Sequence, residues 1–233
     1  MHLTVVLTAL TFLVGSFGLA WGLWNLQSAT IADEFRSYET RVLQFETFSP
    51  AAAKSVVDSA AARDLGDCEN HAQRALLLLE VPLAAAALRS GAVQEFDRHL
   101  RSIQDRSGRV LACVPRDSLA WLVLFGIETM HGRIDGHAFE LLEASYETSP
   151  NEAWVALRRA TVATPVLLSA PEGTRQKILD EFKNLIGHGF EEIPARAYLA
   201  APAPAKILLQ SRIEELDPRL QDSFAKMVQK LRS

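Results

Sequence analysis

The chain has 233 residues, with 24 lysines and arginines against 28 acids, a net charge of -4 and a pI near 5.9. Such a surface holds no general attraction for phosphate backbones and shows no local basic patch, so nucleic-acid binding is excluded. A 48% hydrophobic fraction with 22% charged residues excludes a disordered tail and supplies enough apolar material for a buried core.

Leu3 to Trp24 reads LTVVLTALTFLVGSFGLAWGLW, 22 residues without a charge. About 20 apolar residues cross the hydrocarbon layer of a bilayer. Trp21 and Trp24 stand at the end of the stretch, where indole rings favour the lipid–water boundary. The expectation is a retained transmembrane anchor. A cleaved signal peptide is the competing reading, with Gly18-Leu19-Ala20 as its small-residue site, but a positive segment ahead of it is missing. Thr4, Thr8, Thr11, Gly15, Gly18, Gly22 and Asn25 fall on one helical stripe. Such a stripe lets a second helix approach closely, which makes transmembrane self-association through Gly15, Gly18 and Gly22 one expectation and an accidental register the other.

Arg36 and Arg41 follow the span, and by the positive-inside rule alone they place the domain in the cytoplasm. Against that, an N-terminal hydrophobic span commonly acts as an export signal, and Cys68 and Cys113 form an even pair able to make one disulfide. The expected location is the inner membrane, single-pass, with the domain facing the periplasm. Two buried free thiols remain the alternative for the cysteines.

Beyond the span, Ile31, Phe35, Tyr38, Val42 and Phe45 keep helical spacing, so an amphipathic helix continues toward Thr47. Ser49-Pro50 breaks it, and a short helix over 51–63 follows. An alanine- and leucine-rich helix runs from Glu69 to Arg89, and Pro82 should kink or split it. Glu80 interrupts its apolar run, which makes it a core helix and not a second span. Further helices are predicted over 92–112, 118–131 with Asp117 as cap, 136–148, 151–168, 172–187, 191–200, 205–215 and 218–231. No segment alternates as a strand does. The chain divides into an anchor (1–29), a juxtamembrane helix and linker (30–66) and a helical domain (67–233).

Trp121-Leu-Val-Leu124 and Trp154-Val-Ala-Leu157 repeat a Trp-x-x-Leu pattern 33 residues apart, each opening the first helix of a pair. Leu141 and Ala144 sit in the second helix of the first pair, and Pro115 and Pro150 close successive units. Phe190-Glu-Glu-Ile193 is a faded third start. On these residues the chain resembles the tetratricopeptide family. Phe125 and Arg158 stand where that family has a small residue, and His137 replaces an alanine, so the array is degenerate. The resemblance implies an all-α fold: an N-terminal transmembrane helix followed by an antiparallel helical-hairpin array, an α-solenoid, with a concave surface for protein partners.

No catalytic motif is present, and no cofactor is implied. His131, Asp135 and His137 cluster in one turn but match no metal-binding spacing, and a polar turn accounts for them. Glu191-Glu192 and Glu214-Glu215 are adjacent pairs that diverge on a helix. Trp121, Leu124, Trp154 and Leu157 read as repeat core with possible partner contact. Arg158-Arg159 is the one modest basic spot, set either to grip an acidic partner or to lie in solvent. The functional expectation is a membrane-anchored scaffold for a protein partner in an envelope complex, accessory to envelope or surface-polysaccharide assembly. The alternative is an α-helical enzyme acting on envelope glycan, which requires carboxyl groups converging in one cleft.

Overall fold

The computed structural model describes the chain apart from residues 1, 45, 47, 62–64, 67 and 233, and gives the backbone alone over 2–10 and 24–32. The described residues form helices and turns without a strand. The first helix, α1, runs from His2 to Leu43 as one unit of 42 residues. The apolar stretch and the amphipathic stretch therefore share a single axis. In its second half Phe35, Glu39 and Val42 recur on one face and are buried, because that face lies on the domain. Trp24, Ile31, Phe45 and Thr47 lie outside the described side chains, as do Thr4, Thr8 and Asn25 of the stripe.

In the first half of α1 the opposite holds. Every described side chain from Thr11 to Leu23 is exposed, with Phe12 at 77% and Leu19 at 70%. This apolar segment is thus not folded into the interior. Among the described residues no helix is long and apolar enough to cross a membrane; the rest of the Leu3–Trp24 stretch lies outside the described side chains.

Next come α2 (Pro50–Ala61), α3 (Asn70–Ser90) and α4 (Val93–Cys113). Proline opens α2, where its missing N–H is not needed. Of the kink or split expected at Pro82, the split does not occur: α3 continues through it. An interior proline costs about 3 kcal/mol, but α3 is packed by α1, α2 and α4 at once. Its buried Leu76, Leu77, Leu79 and Leu83 each recover about 1.5–3 kcal/mol, which outweighs the proline. Gly91 then turns the chain with φ +74°, and the Ala92 N–H closes on the Ala87 carbonyl at 2.9 Å. Only a residue tolerant of that left-handed conformation ends a helix so sharply.

The second half contains α5 (Ser118–Met130), α6 (Gly136–Thr148), α7 (Ala153–Ala163), α8 (Glu172–Gly187), α9 (Glu192–Ala200), α10 (Ala203–Glu214) and α11 (Pro218–Arg232). Asp117 caps α5 by accepting the Ala120 N–H at 2.9 Å, and Asp135 caps α6 by accepting that of Ala138 at 3.1 Å. The helix expected over 151–168 is shorter. It gives way at Thr164 to a 3-10 turn over Thr164–Ser169, because Pro165 cannot donate to the helical ladder.

Consecutive helices pack as neighbours: α3 on α4, α5 on α6, α7 on α8, with α9 returning onto α7. One continuous core fills the second half, with Phe125, Leu142, Leu167, Phe182 and Ile186 almost fully buried. Phe224 of α11 closes it, edge-on to Phe182 and Tyr198.

Candidate functional site

α7 carries Trp154, Leu157, Arg158 and Arg159, and the helical period sends them in different directions. Trp154 and Arg158, four residues apart, share a face. Arg158 donates to the Trp154 carbonyl at 3.3 Å and to the Val42 carbonyl of α1 at 2.7 Å. Its guanidinium also lies 5.9 Å from the Trp154 ring. Burial pushes this guanidinium down to about 10. Leu157 packs on Leu185 of α8.

Arg159 turns about 100° further round the helix and points inward, where it is fully buried. Nε and Nη2 both donate to Glu181 Oε1, and Nη1 and Nη2 donate to the Ser145 and Ser149 carbonyls at 3.1 Å each. Tyr146 stacks against it at 4.5 Å and donates its hydroxyl to the other Glu181 oxygen. Desolvation raises the Glu181 carboxyl, with the Arg159 hydrogen bond opposing it, and raises the Tyr146 phenol further. The expectation of a two-arginine surface spot therefore divides: Arg159 grips an acid of its own chain, and Arg158 alone faces the groove described below.

The two tryptophans of the repeat do different things. Trp121 donates its indole N–H to the Pro115 carbonyl at 3.0 Å and fixes the loop before α5. Trp154 faces two guanidinium groups, since Arg74 of α3 lies 5.4 Å from its ring. Arg74 in turn pairs with Glu39 of α1 at 3.2 Å and with the cap Asp117 at 3.3 Å, and His71 meets the same Glu39 carboxylate. α1, α3, α5 and α7 are thus tied around one cation. Leu124 lies between the cores of the two halves and packs against both.

Two concavities flank α7. A cleft of about 650 Å³ opens between the end of α6, the start of α7 and α8, edged by Glu147, Asn151, Lys177, Asp180, Asn184 and Phe190. On the other side a groove of about 370 Å³ runs between α1, α3, α4, α5, α7 and α9. Leu78, Val81, Val123, Met130 and Val162 line it, and among the described residues Arg158 and Thr161 are the only polar side chains there.

Cys68, in the loop before α3, is bonded to Cys113 at the end of α4, with Cα atoms 5.6 Å apart. Gly15, Gly18 and Gly22 face open space, so this chain brings no second helix against them. Asp135 is committed to its cap, and His131 meets Arg133. Among the described residues no three metal-ligating side chains come together.

Arg74, Glu39 and Glu80 escape sequence reasoning. Glu80 offers a signal, as an acid inside a leucine run: it is buried against α4, accepting from Ser102 at 3.0 Å and from Arg106 at 3.3 Å. Comparison with protein-family models, curated proteins and solved structures returns no match.

Proposed function

We propose that this chain is a membrane-anchored scaffold whose helical hairpins stack as a degenerate tetratricopeptide-like solenoid on the periplasmic face of an inner membrane. The observation that carries it is the two-sided character of α1. Its first half holds bare phenylalanine and leucine side chains, while its second half is built into the domain core. An exposed apolar surface of that extent needs a non-aqueous neighbour. The 22 uncharged residues from Leu3 to Trp24 match the length of a bilayer crossing. The Cys68–Cys113 bond supports the exported side, where disulfides persist.

Pairing of consecutive helices, with α9 returning to α7, supports the hairpin array. The partner site favoured by this reading is the cleft between α6, α7 and α8. There the half-exposed Phe190 stands beside the acids Glu147 and Asp180, the mix of aromatic anchor and polar rim that protein interfaces use. An accessory part in envelope or surface-polysaccharide assembly is analogy from the architecture.

Carbonate extraction tests the anchor. The full-length chain stays in the membrane pellet, and Leu13→Arg with Phe17→Arg shifts it to the supernatant. A parent protein that extracts freely, or a mature product beginning near Trp21, defeats the proposal. Photo-crosslinking from position 184 in intact cells then identifies the partner, and absence of any protein adduct there removes the cleft as its site.

The glycan-acting alternative has one observation in its favour, three carboxyls on a single cleft: Glu147, Asp180 and Glu181. Glu181 is held by Arg159 and Tyr146, which makes it a structural acid. Hydrolysis of envelope glycan by the purified chain, lost in both Glu147→Gln and Asp180→Asn, would establish this alternative.

A further inference from the structure

We propose that the track between α6 and α8 binds an extended, basic peptide segment of a partner protein, with lysine or arginine side chains set against Glu140, Glu147 and Asp180 and one apolar side chain on the Phe190 ring. This rests on the scaffold reading, which makes the cleft a partner site, and adds the chemistry of the partner.

The cleft does not stand alone. A second hollow of about 350 Å³ lies beside α6, lined by Gly136, Phe139, Glu140, Glu143, Pro171 and Thr174, and Glu147 lines both. The two hollows follow α6 from its first residue to its last turn, and its 13 residues span about 20 Å. A strand covers that length with about six residues.

Backbone chemistry favours a strand over a helix. An extended chain brings an N–H and a C=O at each residue that need partners, whereas a helix satisfies its own beyond the ends. Asn151 and Asn184 offer exposed amides in the wide part of the track, each both donor and acceptor. Neither side-chain amide is bonded among the described residues. Beside them, Gly189 at φ +83° turns the chain out of α8, and the Phe190 N–H returns to the Leu185 carbonyl at 2.9 Å. That turn fixes the half-exposed ring at the edge of the cleft, where an apolar side chain of the peptide would cover it.

Charge selects the remaining side chains. Lys177 is bonded to Glu143 and Arg159 to Glu181, so both cations are already matched. Three carboxylates are weakly matched or unmatched. Glu147 has no hydrogen bond or ion pair among the described residues. Glu140 meets His137 at 3.7 Å, and Asp180 lies 3.5 Å from an Arg212 that also pairs with Glu215 at 2.9 Å. The track is therefore left negative, which draws in lysine and arginine and repels an acidic segment. Each exposed pair adds little affinity by itself. Phe190 and the amides supply the hold, and the acids supply the selection.

The test is selection of a phage-displayed library of random twelve-residue peptides on the full-length chain, held in nanodiscs of zwitterionic lipid or, if it extracts from membranes, in buffer. Empty nanodiscs remove lipid binders. Selected peptides should be enriched at least threefold in lysine and arginine, carry an aromatic or aliphatic residue among them, and weaken severalfold when salt rises from about 0.05 to about 0.5 M. Glu147→Gln with Asp180→Asn should lower the affinity of a selected, synthesised peptide about tenfold, and Phe190→Ala at least fivefold. Thermal melting of each variant checks the fold, and Glu140→Gln with Glu147→Gln serves if the Asp180 variant melts early. Enrichment of acids, absence of any charge preference, peptides indifferent to these substitutions, or capture of a glucosamine tetramer with no peptide enriched would each overturn the proposal. A protein adduct from position 184 through a segment without lysine or arginine overturns it too, but leaves the scaffold reading standing; absence of any adduct removes the cleft from both.

Discussion

Arg159 and Glu181 meet in the core with two guanidinium nitrogens on one carboxylate oxygen, at 2.9 and 2.6 Å, and the arginine has no exposed surface. The pair ties α7 to α8, and the remaining donors hold the Ser145 and Ser149 carbonyls at the end of α6. Removing one member strands the other charge away from water. Arg159→Met should therefore destabilise the domain by about 3–5 kcal/mol. The double variant Arg159→Met with Glu181→Leu should recover much of that loss. Urea unfolding followed by circular dichroism reads both, and a single variant within 1 kcal/mol of the parent, by the roughly 1 kcal/mol worth of an exposed pair, would contradict the assignment.

The Cys68–Cys113 bond joins positions 45 residues apart. Closing a loop of that length restricts the unfolded chain by about 4 kcal/mol on the chain-entropy account. Reduction, or Cys68→Ser with Cys113→Ser, should lower the urea midpoint accordingly. Thiol alkylation under non-reducing conditions should leave both cysteines of the native protein unmodified.

His99 on α4 is held below its usual range by burial, against an opposing pull from Glu80. A histidine whose folded pKa is depressed lends stability that is present above its unfolded pKa, about 6.5. That stability is lost as pH falls below it, since the unfolded chain then binds the proton first. Melting temperature should decline between pH 7 and pH 5, and His99→Gln should flatten part of the decline. Because His99 is only partly buried, the contribution is small; identical slopes in the two proteins would dismiss it.

A Cβ added at Gly18 or Gly22 faces open space, with nothing within 4 Å, so the domain should melt as before in the Gly18→Leu, Gly22→Leu double variant. If the glycine stripe pairs with a second membrane helix, the same variant should abolish association in a membrane two-hybrid assay. An unchanged signal leaves the stripe without a role in pairing.

Much of the helical order was legible in the residues. Asp117, Gly91 and the prolines at 50 and 150 carry their own local reasons for starting or stopping a helix. Tertiary packing overrode one local signal, and another was missed. Pro82 was expected to kink α3 or split it, and neighbours on three sides keep it one helix. Pro165, passed over within an expected helix, converts its end to a 3-10 turn. The divergence of Arg158 and Arg159 was hidden because an adjacent arginine pair looks the same whether both face water or one reaches an acid 22 residues on. Nothing local announces Glu181 as that acid. The groove was invisible for a related reason: six helices contribute to it, and its volume belongs to none of their sequences.

Since α1 runs unbroken from His2 to Leu43, about 63 Å as a straight rod, it acts as a lever with no hinge. A tilt imposed on its bare end must swing Phe35 and Val42 against α2 and α3, and the Val42 carbonyl carries that displacement straight to the Arg158 guanidinium. The far end of the molecule and the mouth of its greasy channel are mechanically one piece.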